Sequence, residues 1–130
     1  MVLTENDDCS GPMAARFLND FSDEVEAMSA GVCAAGKVND GVTELMRECF
    51  CDLSGYKPVQ FERGMIASAD LVVVVGELSG KGMPCGALLM EVPRHLQADE
   101  TVEGMRALRD HVKNEAFVLW KSVVSRPARR

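Results

Sequence analysis

The residues with the most chemical promise follow directly on a run of valines. Gly76-Glu77-Leu78-Ser79-Gly80-Lys81-Gly82 combines closely spaced glycines with a lysine, the ingredients of a loop whose backbone amides cradle phosphate. A phosphate-binding loop of the form G-x-x-x-x-G-K-[ST] needs four residues between its glycines. It also needs a hydroxyl after the lysine to reach magnesium. Here the gap is one residue short, Gly82 takes the place of the hydroxyl, and Glu77 would repel phosphate. The stretch therefore reads first as a glycine-rich turn. Its ligand-binding alternative would use Gly76, Gly80, Lys81, Gly82 and Cys85.

Other pairings offer less. Cys49 and Cys51 are two apart on an expected helix, so they point in divergent directions and chelate poorly. No C-x-x-C or second nearby pair completes a zinc site. Cys85 with His95 would make a thiol–imidazole pair for nucleophilic catalysis, but no third group is supplied by spacing. His95 and His111 read as solvated surface residues, and the carboxylates are spread over helix faces rather than paired. No catalytic residue, metal ligand or cofactor is assigned.

The segment Asp70-Leu71-Val72-Val73-Val74-Val75-Gly76, followed by a loop and a proline-led segment, resembles one strand unit of the Rossmann-like cofactor folds. The resemblance covers roughly a fifth of the chain and lacks the G-x-G-x-x-G fingerprint, so it implies no cofactor.

The elements that must position these residues begin with that strand. Branched Cβ atoms favour a pleated sheet, and an unbroken apolar run suits a strand covered on both faces. It is placed at Leu71–Leu78. Residues 1–11, polar and acidic, read as a loose leader. Pro12 suits a first helical turn. Met13, Phe17, Phe21, Val25, Met28 and Val32 then recur at steps of three and four, which predicts a helix over Met13–Ala35. A second helix is expected over Val42–Leu53, after the turn at Asn39-Asp40-Gly41. Tyr56 to Ala67 reads as a weaker edge strand, consistent with Pro58. A long amphipathic helix is expected from an Asp99 N-cap to Ser125, followed by a basic tail over 126–130.

Residues 84–92 decide the fold class. As a helix begun by Pro84 they would give an α/β unit. As a strand they form a hairpin with the valine run, and this reading is preferred because the segment is short and contains Gly86. The expected fold is α+β: a single domain over 12–125, with a small antiparallel sheet centred on residues 71–78 under two N-terminal helices and a long C-terminal one.

Composition narrows the function. The 130-residue chain is 47% hydrophobic and 26% charged, which fits one globular core. Aromatic residues are only 5%, so Val, Leu, Ala and the eight methionines must fill that core. A net charge of −6 argues against nucleic acid as a partner. The apolar runs are too short to span a membrane, and the odd count of five cysteines reads as free thiols in the cytoplasm. With no phosphate loop, metal set or basic face, the chain reads as a non-catalytic protein–protein interaction module: an adaptor, a dedicated chaperone or an assembly subunit. The stripe of Met105, Val112, Leu119 and Trp120 is its expected interaction surface, for another protein or for a second copy in a homodimer. In composition the chain resembles the small dedicated secretion chaperones, acidic dimers with helices flanking a sheet. The alternative is a small enzyme or ligand-binding α/β protein with its site in the loop 76–86.

Overall fold

The structure, a computed structural model, describes residues 1–78, 84, 86–98 and 100–124. Four short strands form one sheet: β1 (Val2–Thr4), β2 (Ser29–Gly31), β3 (Val73–Val75) and β4 (Leu88–Met90), in the order β2-β1-β3-β4. Every pairing is parallel. The helices are α1 (Ser10–Phe21), α2 (Val42–Arg47), α3 (Gly64–Ala67), α4 (Arg94–Ala98) and α5 (Val102–Val124).

The expected antiparallel α+β sheet is thus corrected to an all-parallel α/β sheet. The segment over 84–92 does contain a strand, yet it runs parallel to the valine run, with Val73 beside Leu88 and Val75 beside Met90. A hairpin can close in two residues, whereas a parallel return needs a crossover of about a dozen. Residues 76–87 supply that length, and a glycine-rich sequence gives no sign of which return it makes.

The first third of the chain also differs from expectation. Val2–Thr4, placed in the leader, form a fully buried central strand. The helix expected over Met13–Ala35 ends at Phe21, and Ser29–Gly31 pair with β1 instead. The apolar spacing of Val25, Met28 and Val32 mimics a continued helix. Yet Asn19 turns back on Ala27, donating to its carbonyl at 2.9 Å and accepting from its N–H at 2.7 Å. The second helix stops at Arg47, six residues short, and the edge strand of Tyr56–Ala67 reduces to a single bridge, Gly31 to Gln60. At α5 the cap is Thr101, whose Oγ1 accepts from Gly104 N–H at 3.0 Å. Asp99 and the tail lie outside the described residues.

Alternation along the strands splits the core into two layers. Val2, Val73, Val75 and Met90 face α1 and α5, where Met13, Phe17, Val112 and Ala116 are buried with them. Leu3, Ala30 and Val74 face the other way, under half-buried Val59, Phe61 and Met65. Val74 is covered on both faces, as an unbroken valine run requires. At the far end of the helical layer, Phe117 stacks on Trp120 and Phe21 meets Phe117 edge-on, with centroids 5.5–5.7 Å apart.

Candidate functional site

In an open parallel sheet, ligands bind beyond the carboxyl ends of the strands, where the chain reverses its direction of strand addition. Here β2 is added on one side of β1 and β3 on the other, so the reversal falls between β1 and β3. A crevice of about 470 Å³ opens there. One wall is the loop from β1 to α1, the other is Val75–Glu77 after β3, and the floor includes Val92, Leu96, Met105 and Leu108.

The β1–α1 loop is held by its carbonyls. Those of Thr4, Glu5, Asn6 and Asp8 accept from Val32, Cys33, Ala35 and Asn39 at 2.7–3.0 Å. Among the described residues, the N–H groups of Asn6 and Cys9 take no hydrogen-bond partner, while the Asp8 N–H turns to its own carboxylate. All three residues line the crevice.

Beneath the loop, Asp7 is fully buried and left-handed at φ +51°. Its N–H donates to Thr4 Oγ1 at 2.9 Å, and its Oδ2 accepts from Val59 N–H at 2.8 Å and from the Tyr56 hydroxyl. Burial, reinforced by Asp7, pushes the Tyr56 phenol well above its usual range. Asp7 Oδ1 has no protein partner. Gly31 lies directly against this turn, and a Cβ there would sit 2.8 Å from Asn6 C and Asp7 N.

Carboxylates outnumber cations here, although Lys37 pairs with Asp40 and Arg94 with Glu77, each at 3.3 Å. Glu5, Asp8, Asp40, Glu77 and Glu100 line the crevice, and among the described residues no lysine, arginine or histidine does. Burial, with the neighbouring Asp7 charge, raises the Asp8 carboxyl above its ordinary value. Cys9, the one thiol among the described residues that lines the crevice, is pushed up to about 12 by burial and by Asp8. At neutral pH it is a thiol, and the thiolate is the nucleophilic form. Among the described residues no cluster suited to a metal ion occurs. The same residues hold no helix long and apolar enough to cross a membrane.

Of the residues singled out by sequence, Gly76 ends β3 at φ +76° and lines the crevice. Gly80, Lys81, Gly82 and Cys85 lie outside the described residues. Met105 reaches the crevice floor, Val112 is fully buried, and Leu119 and Trp120 line a separate pocket at the opposite end of the sheet. The residues that sequence reasoning passed over are Thr4–Ser10. The signal was present: an apolar pair, Val2-Leu3, then a polar stretch and a helix start at Ser10-Gly11-Pro12 spell strand–loop–helix.

Solved structures with this arrangement are tyrosine phosphatases and arsenate reductases. Wzb from Escherichia coli K30, in complex with sulphate, aligns at a TM-score of 0.77 and 15% identity over 94% of this chain and 95% of that one. Wzb from Vibrio vulnificus, in complex with benzylphosphonate, gives 0.78 and 17% over 93% and 95%. The thioredoxin-dependent arsenate reductase of Corynebacterium glutamicum gives 0.74 and 21%, over 95% of this chain and 61% of that longer one. The fold is that of the low-molecular-weight tyrosine phosphatases and arsenate reductases. No protein-family model matches the sequence, and no curated protein does.

These neighbours overturn the expectation of a non-catalytic adaptor, dedicated chaperone or assembly subunit, and the chaperone likeness with it. That expectation rested on finding no site in the motifs. The parallel sheet builds a crevice from the β1–α1 loop, which the motif search did not enter. The alternative of a small enzyme or ligand-binding α/β protein is the better supported one.

Proposed function

We propose that the chain is a small ligand-binding α/β protein, and that its crevice between β1 and β3 takes a ligand bearing a positive charge on a short apolar stem. The observation that carries this reading is the lining: Glu5, Asp8, Asp40, Glu77 and Glu100 at the rim over an apolar floor, an excess of carboxylates that the pairing of Asp40 with Lys37 and of Glu77 with Arg94, each at 3.3 Å, balances only in part. An ammonium or guanidinium group is the chemistry that complements such a rim. Phosphoryl and arsenate chemistry asks for the reverse. A transferring oxyanion needs donors and cations around its oxygens, and a covalent route needs an activated nucleophile. Here the available thiol is Cys9, protonated at neutral pH. The free thiols of Cys9, Cys33, Cys49 and Cys51 support a cytoplasmic location.

One observation favours a second reading, an oxyanion-handling enzyme. The open N–H groups of Asn6 and Cys9 are the donors an anion would use. Calorimetric titration separates the two. The first reading expects methylguanidinium to bind the intact chain and phosphate not to. It also expects Glu5→Gln with Asp8→Asn to weaken that binding about tenfold or more, at roughly fivefold for each exposed charge pair lost. Tight phosphate binding, or turnover of p-nitrophenyl phosphate that survives heat-inactivated and Cys9→Ser controls, would establish the second reading instead.

A further inference from the structure

At the amino ends of the strands, opposite the crevice, lies a second pocket of about 490 Å³, within the range of small-molecule sites. Its walls are apolar and adaptable: Leu18, Met28, Met65, Leu119 and Trp120. Met28 is 62% exposed there, a large apolar side chain left uncovered at the rim. The rim also carries Glu24 and Glu26, whose carboxylates make no hydrogen bond or ion pair among the described residues. Asp70 is partly balanced by the Met1 amino group, which donates to the Leu71 carbonyl at 2.7 Å. Trp120 Nε1–H is already committed to Ser22 Oγ at 2.9 Å, so its ring offers the pocket an apolar and π-electron face.

We infer that this pocket binds a small lipophilic cation: an apolar body among Leu119, Trp120 and the methionines, with its ammonium beside Glu24 and Glu26. The charge selects the class. Glu24 and Glu26 are exposed and hydrated, so a neutral lipophile gains nothing from them, an ammonium gains a pairing, and a fatty anion is repelled. Trp120 is the sole tryptophan of the chain, so its emission reports the pocket directly.

The probe is octylammonium, with 1-octanol and octanoate as matched controls, each below its aggregation threshold. Octylammonium should change Trp120 emission saturably and bind about fivefold or more tighter than octanol, with octanoate weakest. Glu24→Gln with Glu26→Gln should erase the preference for the amine and leave octanol unchanged. Ala69→Phe, which fills the pocket from its wall, should remove the response to all three, with circular dichroism confirming the fold. A response linear in ligand, equal binding of octanoate, or a preference that survives the double glutamine variant would overturn the inference. This pocket is separate from the crevice, so its test stands whatever the crevice binds.

Discussion

Phe50 carries a cost that nothing around it offsets. It is 97% exposed and left-handed at φ +62°, where an L side chain meets its own carbonyl at a cost of about 1–2 kcal/mol. Phe50→Gly removes that strain, set against the greater freedom of glycine in the unfolded chain, and should raise stability by about 0.5–1 kcal/mol in urea unfolding. No gain would mean that the ring contributes contacts worth the strain. Asp7 is the opposite case, strained but tied down. Asp7→Ala leaves the half-buried Val59 N–H without its acceptor, with the Tyr56 hydroxyl falling back on Ser29 Oγ at 2.7 Å, and should cost about 1–3 kcal/mol. At the crevice rim, the raised Asp8 carboxyl takes up its proton earlier on acidification than an ordinary aspartate. Amine binding there should weaken as pH falls, starting above the usual carboxylate range. These residues were legible in the sequence only as types. Asp7 and Asp8 looked like solvent-facing acids, because nothing in a polar octapeptide marks which carboxylate will be buried by a strand 20 residues downstream.

Between elements, two contacts set the geometry. Gly31 of β2 lies so close to the β1–α1 loop that a methyl group would displace Asn6 and Asp7 backbone. Gly31→Ala should destabilise by about 1–3 kcal/mol and distort the crevice wall as well, which paired unfolding and ligand titrations would detect. The second contact joins α2 to α5. Glu48 accepts from Arg106 Nη2 at 2.7 Å and from Arg109 Nη1 at 2.6 Å, while the same Arg109 nitrogen donates to the Leu45 carbonyl at 2.9 Å. These hydrogen bonds, from Arg106 first and then Arg109, hold the Glu48 carboxyl down at about 2, against an ordinary 4.5. A depressed carboxyl stabilises the fold fully above its unfolded value and loses that contribution as pH falls toward the folded one. Stability should therefore decline between about pH 4.5 and 2, and Glu48→Gln should flatten that part of the acid-unfolding profile. The long α5 helix and the valine strand were both readable, because each carries enough repeats of one period to be unambiguous. Strands β1 and β2 were not. Each has three residues, and Ser29-Ala30-Gly31 has no β-forming signature of its own. Their strand character comes from pairing with each other.

Across the whole molecule, strand direction was the decisive unknown. The valine run announces a strand covered on both faces, but its partners and their polarity depend on connections whose sequences do not specify a direction of return. Once the sheet is parallel, the order β2-β1-β3-β4 places a crevice between β1 and β3 without further information. The phosphatase and arsenate reductase neighbours share that architecture at 15–21% identity, which transmits a fold and leaves the lining free to differ. In this chain the lining is acidic. The most direct test is an amide chemical-shift titration of the intact protein with methylguanidinium and, separately, with phosphate. The account predicts saturable shifts at Asn6, Asp8, Cys9 and Gly76 with methylguanidinium, and none there with phosphate. Saturable shifts of the same amides with phosphate, and silence with methylguanidinium, would contradict it.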